Sequence, residues 1–432
     1  MQTSLADFIK DTPEGEEADA ILRSCVHCGF CLAVCPTYQL LGDELDSPRG
    51  RIYLMKQVME GAPVTEKTQL HLDRCLTCRA CETVCPSGVR YGRLVDIGRG
   101  IVEKKVGRSL AAGTMRYMLR QTLARPGAVA ALLKLGRTAR PMLPGVLKNS
   151  IASLKHETPS GKSLDRWPPV RHIRKMLVLE GCVQPSLAPS INASAARVLD
   201  RLGISLIKAP DAGCCGALSY HLNAQQEGLD YMRRNVDAWW PYARRAEVEA
   251  IVMTASGCGV TVKEYGHLLR HDPVYAEKAA RISELTRDIS EVLEAEAPRL
   301  ASLFEQLSQG KKREKLAFHS PCTLQHGMRI RGVVEKILIA TGFELTYVPD
   351  AHLCCGSAGT YSILQPELSQ QLLKNKVAAL ESGDPRRIAT ANVGCLMHIR
   401  SGTPLAIAHW IEMLDEKLGD MDEHANAAQP CD

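Results

Sequence analysis

From residue 176 onward, short runs of apolar residues alternate with longer stretches whose apolar positions recur every three or four residues. Residues 176 to 181, 204 to 209 and 250 to 254 read as strands, with a helix over 188 to 202 and another after residue 216. The order then returns, with strands near 315 to 319, 344 to 348 and 388 to 391 and helices near 331 to 341 and 365 to 380. Such alternation predicts small α/β layers with partly parallel sheets. A charged stretch, Arg281 to Lys315, separates the two units.

The first part of the chain has helical periodicity only. Ala18 to Arg23 reads as a short helix. A second begins at Ser47-Pro48, where Ser47 can cap and Pro48 fits the first helical position, and stops before Gly61. Its Ile52, Met55 and Met59 form an apolar stripe, while Arg49 and Arg51 either face the site beside it or are solvated supports of the fold. Thr65 to Arg74, Leu110 to Leu123 and Ala128 to Leu135 are further helices, with Pro126, Pro141 and Pro144 as breaks and Trp167-Pro168-Pro169 as a linker.

Length and charge sharpen this outline. A chain of 432 residues can form two to four domains, each with its own core. Net charge is +5, but Lys104 to His156 holds eleven Lys or Arg and no Asp or Glu, leaving 42 basic against 48 acidic residues elsewhere. This basic stretch is either a surface that rests on anionic lipid or a solvated helical pair that docks on an acidic partner. No run approaches a membrane span, and Met1 to Glu17 lacks the apolar segment of a secretory signal. The expectation is a cytoplasmic protein whose thiols are kept reduced.

Seventeen cysteines are too many for incidental use, and sixteen fall into regular groups, leaving Cys431. Cys25, Cys28, Cys31 and Cys35-Pro36 share the spacing C-x2-C-x2-C-x3-C-P with Cys75, Cys78, Cys81 and Cys85-Pro86. This is the bacterial ferredoxin run for 4Fe-4S clusters, in which the fourth cysteine serves the other cluster. Crossed wiring is therefore expected: Cys25, Cys28, Cys31 and Cys85 for one cluster, Cys75, Cys78, Cys81 and Cys35 for the other. Zinc is the alternative, but its sites use two separated cysteine pairs.

The remaining eight follow the α/β repeat. Cys182, Cys214-Cys215-Gly216 and Cys258 are matched by Cys322, Cys354-Cys355-Gly356 and Cys395, offset by 140 residues for the first three and 137 for the last. Each falls just past a predicted strand end, where open sheets place ligands. The repeats hold either an additional iron–sulfur centre or reduced thiols and transient disulfides lining an acceptor pocket. His398, three after Cys395, offers a nitrogen ligand; His319, His326 and His352 offer proton handling beside a quinone. No dinucleotide fingerprint and no phosphate loop occurs, so electrons must come from a partner protein.

The C, C-C-G, C pattern resembles the cysteine-rich domain of heterodisulfide reductases, anaerobic glycerol-3-phosphate dehydrogenases, lactate-utilisation proteins and glycolate oxidases. It departs from the heterodisulfide reductase form, whose fifth cysteine is replaced here by Thr261 and His398. With the two ferredoxin runs and Ser47-Pro-Arg-Gly-Arg51, nearly the whole chain resembles the iron–sulfur subunit family of bacterial glycolate oxidases. The resemblance implies an electron-transfer subunit without catalytic residues. FAD-binding partner subunits would convert glycolate to glyoxylate, and electrons would pass toward quinone at the inner face of the cytoplasmic membrane. It implies an α+β multidomain architecture: a helical two-cluster domain (1–103), a basic helical linker (104–170) and two α/β cysteine-rich repeats (171–300 and 311–420). A glycerol-3-phosphate or lactate dehydrogenase subunit and a disulfide reductase are the alternatives. No nucleic acid partner is expected, because a single aromatic residue, Tyr117, stands among the Lys and Arg of the basic stretch.

Overall fold

The computed structural model describes residues 1–139, 166–305 and 313–427. Pro141, Pro144 and Cys431 lie outside the described residues.

Helices Pro13–Ser24, Pro36–Leu41, Pro48–Met59, Glu66–Asp73 and Tyr91–Val106 build the N-terminal unit. Ser47 caps the third through Gly50 N–H, with Pro48 next to it, and Gly61 takes φ +92° beyond its end. Ile52, Met55 and Met59 are buried against Leu22, Leu72 and Leu94. Gly98 is needed where helix Tyr91–Val106 crosses this stripe, since a Cβ there would meet Met55 Sδ at 2.5 Å.

The basic stretch begins with helices Leu110–Leu123 and Pro126–Ala139. Pro126 does not break a helix. It opens one, because the missing N–H would have been unsatisfied there anyway. Arg116 and Arg120 tie the pair to Asp73 at 3.2 Å and Glu227 at 2.9 Å. Leu110, Met115, Tyr117, Met118, Leu132 and Leu135 remain exposed on it.

Two four-stranded sheets follow. Strands β1 (Arg174–Val178), β2 (Ile204–Lys208), β3 (Ile251–Met253) and β4 (Thr286–Asp288) stand in the order β2-β1-β3-β4. Strands β5 (Glu314–His319), β6 (Phe343–Leu345), β7 (Arg387–Thr390) and β8 (Ala406–His409) repeat it as β6-β5-β7-β8. Every pair is parallel, not only some as the sequence suggested. The fourth strands were not legible. β4 is three residues, Thr-Arg-Asp, inside the stretch read as a charged separator. Each fourth strand ends the same way, with a glutamate three residues on accepting from the last strand N–H: Glu291 from Asp288 at 2.7 Å and Glu412 from His409 at 2.9 Å.

The sheets share one core. Val178, Ile204 and Val252 of the first belong to the same buried cluster as Leu316, Phe318 and Phe343 of the second. Helix Trp410–Ala427, which follows the last strand, packs on helix Ser190–Arg201 of the first repeat. Ser190 donates to Glu412 at 2.6 Å and Arg197 Nε to Asp415 at 3.0 Å across this junction.

Candidate metal centres

The two ferredoxin-type loops take the same backbone path. His27 and Thr77, each two residues after the first cysteine, are left-handed at φ +55° and +52°; Gly29 and Arg79, two further on, are at +88° and +62°. These turns curl three thiols inward. One cavity, with about 440 Å³ of empty space, is lined by Cys25, Cys28, Cys31 and Cys85. A second, of about 300 Å³, is lined by Cys35, Cys75, Cys78 and Cys81. The fourth cysteine of each run thus faces the other run's cavity, and Cys81 and Tyr91 border both.

Both cavities suit soft cations. Burial pushes the Cys31 thiol up to about 11 and those of Cys78 and Cys81 well above their ordinary value. Thiolates there need a positive partner, which bound iron provides. Donors already point at sulfur: Thr77 N–H at 3.3 Å and Tyr91 O–H at 3.7 Å from Cys75, and Val89 N–H at 3.5 Å from Cys85. Such bonds are among the terms that set a cluster's potential.

The two arginines of the Ser47-Pro-Arg-Gly-Arg51 turn part ways. Arg49 borders the first cavity and binds Glu44 at 2.8 Å. Arg51 is buried at the second, donating to His71 O at 2.7 Å, Thr37 Oγ1 at 3.1 Å and Asp46 at 3.2 Å. Arg99 was not singled out from the sequence; it holds the second loop through Leu72 O, Cys75 O and Thr77 Oγ1. An arginine in a helix reads as surface until its neighbours are known.

In the first repeat Cys182, Cys214, Cys215 and Cys258 form a connected thiol chain. Thiol hydrogen bonds from Cys182 and Cys215 hold Cys214 well below the usual thiol range, at about 4. In the second, Cys322 Sγ lies 4.0 Å from Cys354 Sγ, and the chain continues through Cys355 to Cys395. The symmetry of the two quartets ends at the histidines. His398 does not reach into the quartet; its Nε2 sits 3.2 Å from Ser369 Oγ. His326 is a loop tie, with Nε2 2.9 Å from His352 O and Nδ1 3.2 Å from Thr83 Oγ1. His319 is the imidazole brought next to Cys355 and Cys395. Lys376, also unforeseen, is buried nearby and donates to Asp350 O at 2.9 Å.

The second cavity abuts the second repeat. Cys78, Cys322 and Cys354 pack in one apolar cluster with Leu76 and Tyr361, and Tyr361 O–H donates to Arg74 O at 3.0 Å. At the opposite end Cys28 is exposed beside Val26 and Phe30.

Paired four-cysteine cavities in a helical unit, joined to duplicated cysteine-rich sheets, define an iron–sulfur electron-transfer protein. Residues 21–89 match the 4Fe-4S dicluster domain family, and residues 176–263 and 316–400 each match the cysteine-rich domain family. The chain is 56% identical to the glycolate oxidase iron-sulfur subunit of Escherichia coli (strain K12), covering 97% of this chain and 99% of that one. It is 32% identical to the probable glycolate oxidase iron-sulfur subunit of Bacillus subtilis (strain 168), over 92% and 91%. Lactate utilization protein A of Bacillus licheniformis is 28% identical over 55% of this chain and 97% of its own. The chain belongs to the family of glycolate oxidase iron–sulfur subunits.

Proposed function

We propose that this chain is the electron-transfer subunit of a membrane-associated glycolate oxidase and carries two 4Fe-4S clusters. Cys25, Cys28, Cys31 and Cys85 hold one; Cys75, Cys78, Cys81 and Cys35 hold the other. The observation that carries the reading is the exchange of the fourth cysteine between the two cavities, which sets the cluster sites back to back. Each cluster, when bound, accepts and releases one electron at a time. In this reading an FAD-bearing partner oxidises glycolate to glyoxylate and delivers two electrons singly to this chain. Entry at the exposed Cys28 edge and exit past Cys78 give a direction from partner to repeats, with quinone as the final acceptor.

The site lies at the inner face of the cytoplasmic membrane in this reading. No helix among the described residues is long and apolar enough to cross a membrane. The basic pair Leu110–Leu123 and Pro126–Ala139, with its exposed Leu, Met and Tyr side chains, supports peripheral contact with anionic lipid. The name of the Bacillus licheniformis relative favours lactate as the second substrate to consider.

The test is reconstitution with the FAD-bearing partners. Glycolate-dependent quinone reduction should require this chain with its clusters, and the chain alone should reduce no dye with glycolate. Dye reduction by the chain alone would end the proposal; faster quinone reduction with lactate than with glycolate would reassign the substrate.

A further inference from the structure

The two thiol quartets differ at the buried position three residues before their first cysteine. His319 ends β5 three residues before Cys322, and Leu179 stands at the same place before Cys182. Leu179 is buried in an apolar cluster with Cys215 and Met253. His319 is 2% exposed, and its Nε2 has no hydrogen-bond partner. An imidazole nitrogen shut away from water with nothing to bind is costly, and native interiors rarely leave one so. A ligand atom of His319 and the sulfurs of Cys355 and Cys395 all lie within 4.8 Å of one another. The parallel register fixes this placement: His319 pairs with Thr390 of β7, and helix Val393–Arg400, which follows β7, carries Cys395 near its start.

We propose that the second repeat holds an iron–sulfur centre ligated by the thiolates of Cys355 and Cys395 and the imidazole of His319, whereas the first repeat offers thiolates alone. The proposal rests on the reading that the repeats are metallated. Imidazole and thiolate together suit iron and zinc, and the position beside Cys78 favours the redox-active one. Exchange of an anionic thiolate for a neutral nitrogen raises the potential of an iron–sulfur centre. Buried Lys376, whose ammonium is within electrostatic reach of Cys354 and Cys355, acts in the same direction. The second repeat is then the electron sink next to the second cavity, and the first repeat is not its equal.

The experiment uses the full chain, loaded anaerobically and labelled with ¹⁵N-histidine. Pulsed EPR in reduced and oxidised states should show an imidazole nitrogen coupled to a centre other than the two ferredoxin-type ones. His319→Leu should abolish that coupling while the ferredoxin-type signals persist. His319→Cys should retain the metal and lower the midpoint potential of the same centre. Should the leucine variant misfold, the labelled parent chain and the cysteine variant decide. No histidine coupling in the parent chain, coupling that survives in His319→Leu, or zinc instead of iron in the repeat overturns the proposal. All three leave the two ferredoxin-type signals in place, so they are distinguishable from failure of the electron-transfer reading, in which those signals are missing.

Discussion

Asp46→Asn isolates what holds the second cavity together. The Asp46 side chain has no exposed surface; its carboxylate lies 3.2 Å from Arg51, 3.1 Å from His71 Nδ1 and 2.8 Å from Arg74. Its backbone oxygen accepts from Thr37 Oγ1 at 2.8 Å and faces the Cys35 thiol at 3.7 Å. Asparagine keeps the shape and removes the charge. Arg51, 1% exposed, then loses its carboxylate partner and keeps only neutral hydrogen-bond partners, while Arg74, 27% exposed, can turn to water. Stranding a buried charge costs about 3–5 kcal/mol, and the exposed pair adds little. At about 3 kcal/mol the population of the locally opened state rises roughly a hundredfold. Iron release to a chelator through that state should accelerate by a similar factor, monitored anaerobically by absorbance. Glu44→Gln, which breaks the half-exposed Arg49 pair, should change the rate less than about threefold. Asp46→Asn with Arg51→Met should recover much of the loss, because the uncompensated charge is gone. A rate for Asp46→Asn within twofold of the parent chain, or no recovery in the double variant, would refute the argument.

Three other outcomes follow from the geometry. Cys35→Ser should weaken the cluster held by Cys75, Cys78 and Cys81, read by its EPR signal; selective loss of the other signal means the wiring is not crossed. Glu17, 6% exposed, joins the N-terminal unit to His267 at 2.9 Å and Arg270 at 2.9 Å. Burial alone would raise its carboxyl, but the His267 hydrogen bond and Arg93 hold it well below the ordinary value of 4.5. Its stabilisation is therefore complete above that value and is lost as the pH falls below it, so Glu17→Gln should cost about 2–3 kcal/mol at pH 7 and progressively less in acid; a gap in melting temperature independent of pH contradicts this. Gly356 has φ +91°, and a Cβ there would stand 2.6 Å from Ser369 O. Gly356→Ala should destabilise the second repeat by about 3 kcal/mol through strain and collision, and an unchanged melting temperature would show that the loop gives way.

Much of this was visible in residue spacing. The cysteine runs, the 140-residue offset and β1, β2 and β5 were legible because their signals are local. What escaped depends on neighbours distant in the chain. Thr286–Asp288 carries no apolar run, and only pairing with β3 makes it a strand. Arg51 reads as a solvated cation until Asp46 and Thr37 close over it. His398, one helical turn after Cys395, was the obvious nitrogen; the turn aims it at Ser369, and β5 brings His319 instead. No spacing rule could bring Cys78 to Cys322 across 244 positions.

The helix that closes the second repeat also covers the first. During synthesis the segment from Arg174 onward emerges long before Trp410, yet Ser190, Ser194 and Arg197 find Glu412 and Asp415 only after the second sheet has been made. Until then the face of helix Ser190–Arg201 that meets this helix is open to solvent, and the first thiol quartet forms on an unfinished scaffold. The molecule's architecture thus leaves the core of the first repeat incomplete until the last helix has been made.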